Sequence, residues 1–369
     1  MRRLIIIGLV TIFAVLLFAG IVAAKEPATP ELTLQEAVDR ALELSKTLKI
    51  AETEKEKAWE QRSEAQEAVN YTPIGMVNPE IEAAYASLLQ AELNYQIKRK
   101  NYLSLQDDIK QQVVEKYCAV LSASAALDKA KKAFAQADWE KRMSQLKLQV
   151  GTLSPVAMTA VNAAYERAQG DLVQAQQNLN KAYVELNALV GFWPEDRPQL
   201  VTDIEYGPLD VVSLTSEVNR AIDESTDVWA ALQNVIIERQ DLRMTLQPYD
   251  IEKMEVEIAQ LTADQAKDEL EKQFLLLYHD IVSLEGGIKA AQESVAAAEE
   301  ALRAIQVKFD VGMAVKGDLL EAEANLAAAR STLAELKYSH GTAMATYRNL
   351  TGRDVLPSVL AKDKGEQKA

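Results

Sequence analysis

The segment LKLQVGTLSP (residues 146–155) recurs 161 positions later as VKFDVGMAVK (residues 307–316). In both places a Val-Gly pair stands between long stretches rich in Ala, Leu, Glu, Gln and Lys, the residue types that favour helices. Glycine tolerates the positive φ angle at which many helices end, so each pair indicates a tight turn that reverses the chain. The two segments therefore predict two helical hairpins in one chain.

The repeat extends well beyond these two turns. From Tyr117, which matches Tyr278, to the closing glycine of each copy, the matches stand at an offset of 161. Nearer the N-terminus, residues 32–42 match residues 212–222 at an offset of 180. The chain is therefore an internal duplication, and the difference of the two offsets places 19 additional residues in the first copy, between about position 70 and position 117.

Each copy predicts the same three helices in the same order. The first starts at a Thr or Ser N-cap and runs to a proline-containing breaker, the second is very long and ends at the Val-Gly turn, and the third ends at a C-cap glycine. Because helices this long cannot bury one face within a compact monomer, the Ala-rich run at 290–301 indicates coiled-coil packing. The first helices begin near Leu34 and Leu214 and run to breakers at 71–79 and at Gln247-Pro248. The second helices are predicted at about 80–148 and 251–309, and the third at about 155–190 and 317–351.

The N-terminus predicts export. Arg2 and Arg3 precede an apolar run at 4–24 that ends in small residues, as before a signal-peptide cleavage site. The run exceeds the ~7–15 residues of a usual signal sequence and approaches the ~20 that span a bilayer, so both a cleaved signal and a retained anchor stay open. The predicted organisation is 1–24 signal peptide or anchor, 25–191 first repeat, 192–211 irregular linker with one short strand at 199–206, 212–352 second repeat and 353–369 disordered tail.

Composition and motifs argue against several function classes. The net charge of −15 disfavours nucleic acid as a partner, because phosphates are bound by Lys and Arg. Cys118 is the only cysteine, and His279 and His340 lie in different predicted helices with no second metal ligand spaced to either. The chain has no Gly-rich phosphate loop, no CxxC and no HExxH motif. We therefore predict no enzyme activity, no catalytic residues, no metal and no cofactor.

The repeated blocks together resemble TolC-like outer-membrane efflux proteins over about residues 32–352. The resemblance rests on the order, occurring twice, of an opening LTLQEAVDRALELSKTLK block (32–49), the VEKYCAVLSASAALDKAKKA block (114–133), the paired Val-Gly turns and the closing LNALVG and YRNLTG (186–191 and 347–352). It implies an all-α protomer of duplicated hairpins, of which three form a twelve-helix tunnel, the α-barrel. It also implies two partners, a periplasmic-type adaptor (a membrane fusion protein) and an inner-membrane pump.

The resemblance further implies roles for individual residues. In such proteins the hairpin tips dock the adaptor, and acidic residues after the second tip narrow the tunnel entrance. Tip glycines could equally be turn residues alone, and the first copy has Ala157 and Ala160 where the second has its acidic pair, so an acidic ring would come from one tip per protomer. The residues concerned are Val150, Gly151, Thr152, Val311, Gly312 and Met313 at the tips, and Asp318 and Glu321 at the constriction.

The outer end departs from the family pattern. A strand that spans a membrane needs ~9–11 residues, and each copy would need two between its first and second helices. The first copy offers residues 71–79, which contain two prolines, and the second offers almost nothing around Pro248. We therefore predict no transmembrane β-barrel. The apolar loop residues Ile74, Met76 and Val77 would either plug the tunnel or contact lipid or a capping partner.

The favoured function is a trimeric export duct in the cell envelope, outside the cytoplasmic membrane, that acts with an adaptor and a pump. One alternative is a helical scaffold or spacer that carries no substrate. An adaptor-like hairpin protein is a third interpretation, disfavoured because the chain lacks flanking β-rich segments.

Overall fold

The computed structural model describes residues 28–70, 79–244 and 249–356, which form two sets of four helices with a pair of two-residue strands. The all-α fold class of duplicated hairpins is confirmed. The elements are β1 (Glu31–Leu32), α1 (Leu34–Leu44), α2 (Lys46–Asn70), α3 (Pro79–Gln149), α4 (Pro155–Val190), β2 (Gln199–Leu200), α5 (Leu214–Glu224), α6 (Thr226–Met244), α7 (Tyr249–Asp310) and α8 (Lys316–Leu350).

The long helices begin and end within two residues of the predicted positions, but the first predicted helix of each copy is broken. Ser45 separates α1 from α2, and Ser225 separates α5 from α6. Both serines have extended backbone angles, and their hydroxyls accept a hydrogen bond from the amides of Leu48 and Val228. Each serine is therefore the N-cap of a new helix. In both copies the break separates a short first helix (α1 or α5) from a longer second helix (α2 or α6).

The largest apolar cluster surrounds the middle of α3. Tyr117 lies in it, fully buried, and its hydroxyl donates to the Leu32 carbonyl at 3.2 Å and accepts from the Thr202 amide at 3.1 Å. Tyr117 thereby connects α3 both to β1 and to the linker residues that follow β2. The other buried members include Leu34, Val38, Val113, Val114, Val120, Leu186 and Val190.

The predicted strand at 199–206 is only partly right. β2 is limited to residues 199–200, and its partner β1 lies outside the linker, directly before α1. The two strands pair in parallel, with Glu31 opposite Gln199. Parallel pairing follows from the duplication, because each strand leads the chain toward the short first helix of its own copy.

Helix α8 of the second copy packs along α3 of the first. The amide of Asn349 donates to Asp108 and Gln111 on α3, both at 2.8 Å, and Lys132 pairs with Glu323 at 3.0 Å. Arg353, placed by sequence in a disordered tail, forms two hydrogen bonds to Glu217 on α5. The second copy therefore contacts the first at several positions along α3 and α8. Its C-terminal end contacts its own first helix, α5, through Arg353.

Some predictions fall on residues outside the described ranges. These are the N-terminal segment 1–24, the loop residues Ile74, Met76 and Val77, and the tail from residue 357 onward. Within the described ranges, no helix combines the length and hydropathy that a membrane span requires.

His340 lies beneath the linker, not on a helix surface as an incidental polar residue would. It is 2% exposed, its ring meets Tyr206 edge-on at 5.0 Å between centroids, and its Nε2 is 3.6 Å from Oε1 of Glu285. The same carboxylate oxygen accepts a hydrogen bond from the Leu209 amide. Burial lowers the pKa of His340, against the smaller opposing effect of Glu285.

We expect His340 to make the fold sensitive to mild acid. The folded state holds the imidazole neutral while the unfolded chain binds a proton near pH 6.5, so stability falls as pH drops below that value, by at most ~1.4 kcal/mol per pH unit. The His340→Gln variant should lose less stability than the wild type between pH 7.5 and pH 5.5 in thermal unfolding. His279 is exposed and is the only other histidine, so His279→Gln should behave as wild type. Equal acid loss in all three proteins would contradict this role.

Candidate functional site: the hairpin tips

The first tip joins α3 to α4 through residues 150–154. Gly151 has a φ of +74° and its amide donates to the Leu148 carbonyl at 3.1 Å. The amide and the hydroxyl of Thr152 both donate to the Lys147 carbonyl, at 2.9 and 3.0 Å. Ser154 then caps α4 by accepting from the Ala157 amide. The turn is therefore closed by its own hydrogen bonds and needs no other part of the chain.

The second tip repeats this geometry between α7 and α8. Gly312 has a φ of +76° and donates to the Phe309 carbonyl at 3.0 Å, and Met313 donates to Lys308 at 2.7 Å. Val315 stands at the N-cap, where its side chain cannot accept a hydrogen bond. Asp318 compensates, since its carboxylate accepts from the Val315 amide at 2.9 Å.

Both tips present apolar side chains to solvent. Val150 is 73% exposed, Val311 65% and Met313 79%. Sequence reasoning missed two further members, Val156 and Val315, which are also exposed. Neither follows a Val-Gly pair directly, and only their position beside the turn could have indicated them. Clustered exposed apolar residues on a protein of this charge are typical of a surface that binds a partner.

The two tip glycines serve the turn and leave room around it. A Cβ atom on Gly151 or Gly312 would meet no other atom within 4 Å. The positive φ angle, and not a lack of space, is therefore the reason for glycine at these two positions. Most other residues would cost about 1–2 kcal/mol there. Because the space beside each glycine is open, a partner can approach the backbone closely there.

Asp318 and Glu321 are both exposed on the first turns of α8. Spaced three apart, they share a face of the helix, as the sequence indicated. The carboxylate of Asp318 is engaged in capping α8, which gives it a structural role in addition to the predicted constriction. Their place in a tunnel entrance remains a prediction.

The two tips lie at the same end of the protomer. Near the first tip, the ring of Trp139 on α3 lies over Gly317, which is the second residue of α8. A Cβ atom at Gly317 would stand 2.4 Å from Trp139 Cζ3, so any larger residue there would force the ring or the start of α8 to move. The Lys132–Glu323 ion pair lies further along the same two helices. Trp139 and Gly317 therefore set how closely the second hairpin lies against the first.

Comparison with known proteins finds one family match within the second repeat and several solved structures that share the fold. Residues 229–353 match the family model of the outer membrane efflux protein, which covers most of the second repeat. A search of curated proteins finds no match. The resemblance to TolC-like efflux proteins is confirmed by the family match and by the solved structures that share the fold.

Three of these structures are outer-membrane proteins of different bacteria. The CmeC outer membrane channel of Campylobacter jejuni is 15% identical, with 86% of this chain and 85% of that one covered and a TM-score of 0.62. The open state of the MtrE outer membrane channel of Neisseria gonorrhoeae is 16% identical, with coverages of 88% and 91% and a TM-score of 0.61. The outer membrane protein VceC of Vibrio cholerae is 14% identical, with coverages of 88% and 97% and a TM-score of 0.61. At these identities the likeness is one of fold.

We expect Gly317→Ala to loosen the two tips from each other. The added methyl collides with Trp139, so either the ring or the start of α8 must move, and the variant should unfold at a lower temperature. Gly286→Ala is the matched control, because a Cβ atom there meets nothing within 4 Å and alanine favours a helix by up to about 1 kcal/mol. Thermal unfolding should therefore shift down for the first variant and up or not at all for the second. Shifts of the same sign would show that the Trp139 contact does not constrain the tips.

Proposed function

We propose that this chain, which has the fold of outer-membrane channels and a second repeat of the efflux-protein family, is the protomer of a trimeric export duct. In this proposal its tips dock an adaptor, the adaptor connects to an inner-membrane pump, and the duct lies in the cell envelope outside the cytoplasmic membrane. The observation that carries the proposal is the pair of matched, exposed apolar tips at one end of the protomer.

The tips differ from ordinary turns in what they expose. A turn between two surface helices is usually polar, because its residues stay in water. Here Val150 and Val311 stand at equivalent positions of two copies whose sequences otherwise differ widely, and both remain exposed. Equivalent surfaces at one end suit a partner that makes the same contact repeatedly. Three protomers would present six such tips in a ring.

Exposed apolar side chains on α7 support an assembly with more than one chain. The described helices leave apolar side chains exposed along α7, among them Met254, Ile258 and Leu261, which follow one another at helical spacing on one face. A solvated helix does not need such a stripe, whereas a helix that packs against a neighbouring protomer does. The duct proposal gives this face a partner in the adjacent chain.

Oligomeric state separates the duct from the alternative of a helical scaffold. We expect the purified protein to be a trimer with a continuous water-filled lumen, visible as rings or short tubes by electron microscopy, with the mass confirmed by light scattering. A stable monomer or dimer at concentrations of tens of micromolar would contradict the duct and favour the scaffold.

Changing the tips should reduce adaptor binding without unfolding the protein. The double variant Val150→Lys and Val311→Lys places a charge on each exposed tip, at a helix C-terminus where a cation is favourable. We expect its affinity for the hairpin domain of a membrane-fusion-type adaptor to fall at least about tenfold in a pull-down or interferometry assay, as for other central contacts of an interface. Helix content and thermal unfolding should stay near those of the wild type.

The matched control is Val173→Lys, because Val173 is also exposed but lies within α4, away from both tips. It should retain adaptor binding. If the tip variant binds as tightly as the wild type while the trimer is intact, the tips are turns alone and the adaptor contact lies elsewhere.

A further inference from the structure

Helices α3 and α8 join the two copies within the chain. They run antiparallel, and three contacts follow one another from the tips toward the linker. These contacts are Trp139 against Gly317, Lys132 with Glu323 at 3.0 Å, and Gln111 with Thr346 at 2.9 Å. The long helix of the first copy therefore packs, in a single register, on the last helix of the second copy.

The duplication defines a second pair of helices of the same kind. Helix α7 is the counterpart of α3, and α4 is the counterpart of α8, at the offset of 161. The offset still holds at Gln111, because this residue precedes Tyr117 by less than two turns in an unbroken helix. Within the described ranges, however, α7 and α4 do not pack along each other. The surface through which the copies meet is therefore present twice in the chain but used once.

The counterparts of all six contact residues are exposed. Among them Val156, the counterpart of Gly317, is 81% exposed, which is unusual for an apolar side chain of this size. The full set is Glu300, Glu293 and Lys272 on α7 and Val156, Asn162 and Glu185 on α4. Both faces are thus accessible to another chain along their whole length.

The two faces carry opposite charges where they would meet nearest the linker. Lys272 stands in place of Gln111, and Glu185 stands in place of Thr346, so a neutral hydrogen bond within the chain has a cation and an anion as its counterparts. Lys272 lies 3.3 Å from Glu269, and Glu185 lies 3.1 Å from Lys116. These ion pairs are exposed and contribute little, so they compete only weakly with a partner.

The other two positions differ from each other. Asn162 and Glu293 stand in place of an ion pair, and the Asn162 amide can donate a hydrogen bond to the Glu293 carboxylate. At the tip, Val156 and Glu300 replace the glycine and the tryptophan, so the close packing of a ring on a glycine is not repeated. Two of the three contacts therefore have complementary counterparts, and the third does not.

We propose that α7 of one protomer packs along α4 of the adjacent protomer in the register that α3 and α8 use within the chain. Lys272 then meets Glu185 of the adjacent protomer, and Glu293 meets its Asn162. The rotation that relates the two copies, when applied again, brings the first copy of the next chain against the second copy of this one. A contact of this head-to-tail kind closes into a ring when the rotation permits.

This inference rests on the proposed duct, because it names the surface through which the protomers of the duct assemble. It also makes the contact between protomers weaker at the tips than the contact within a protomer. Within the chain, Trp139 and Gly317 hold the two hairpins close together near the tips. Between chains, the paired residues lie in the half of the helices nearer the linker and at their middle.

A disulfide between protomers tests the register in the full-length protein. The double variant Lys272→Cys and Glu185→Cys should form covalent oligomers under mild oxidation, which are visible by gel electrophoresis without reductant. Since α4 and α7 do not pack together within one chain, a bond between these positions joins two chains. Cys118 is buried and should not react, so the wild type should run as a single chain.

The matched control is Lys272→Cys with Asn178→Cys. Asn178 is exposed and lies on the same face of α4 as Glu185, two turns and so roughly 10 Å away. This separation exceeds the roughly 7 Å that a disulfide can span between Cα atoms, so the control should cross-link at least about fivefold more slowly. An oligomer in which both pairs cross-link equally fast, or in which neither does, would overturn the inference and leave the duct proposal standing.

Charge reversal gives a second measurement that needs no cysteine. Lys272→Glu and Glu185→Lys should each raise the concentration of half-assembly at least about threefold in light scattering, because each brings like charges together. The two substitutions combined should return this concentration toward the wild-type value. Failure of the combined variant to recover would contradict the proposed register. A wild type that stays monomeric would overturn both this inference and the duct.

Discussion

The hydroxyl of Tyr117 is the point at which the separate parts of this chain meet. It donates to a carbonyl of the N-terminal strand and accepts from an amide of the linker, while its ring fills the centre of the main apolar cluster. Burial raises the pKa of Tyr117, so the hydroxyl keeps its proton and both bonds persist at any physiological pH. The short parallel strand pair, the start of α1 and the path of the linker all depend on this one side chain on α3.

Away from this centre, the helices contact one another through narrow rows of small apolar residues. Alanine and valine dominate the buried positions of the outer hairpins, which are α2 with α3 and α6 with α7. Close approach of two helices then depends on individual small residues, as at Gly317 beneath Trp139. A fold of this kind has little spare apolar area, and so a single misplaced charge or methyl group matters more than in a globular core.

Much of the fold was predictable because its signals are local and occur twice. A glycine at positive φ marks each tip, and the breadth of the Ala- and Glu-rich runs fixes the long helices within two residues. The breaks at Ser45 and Ser225 were missed, because a serine within a helical pattern is ambiguous until its hydroxyl is seen to cap the next turn. The burial of His340 and the hydrogen bonds of Arg353 were also missed. Each joins residues that are distant in sequence or separated by a turn, so spacing along the chain carries no trace of them.

The serine breaks divide the protomer mechanically. Each long helix, α3 and α7, runs without interruption from the outer hairpin to the tip, and α3 alone is roughly 105 Å long. The helices beside them on the outer side, α2 and α6, are instead each joined to the preceding short helix by a single extended residue. Each copy therefore combines one continuous long helix with a second helix that is attached through a single extended residue. A displacement of either end is transmitted through α3 or α7, while α2 and α6 can tilt to follow it.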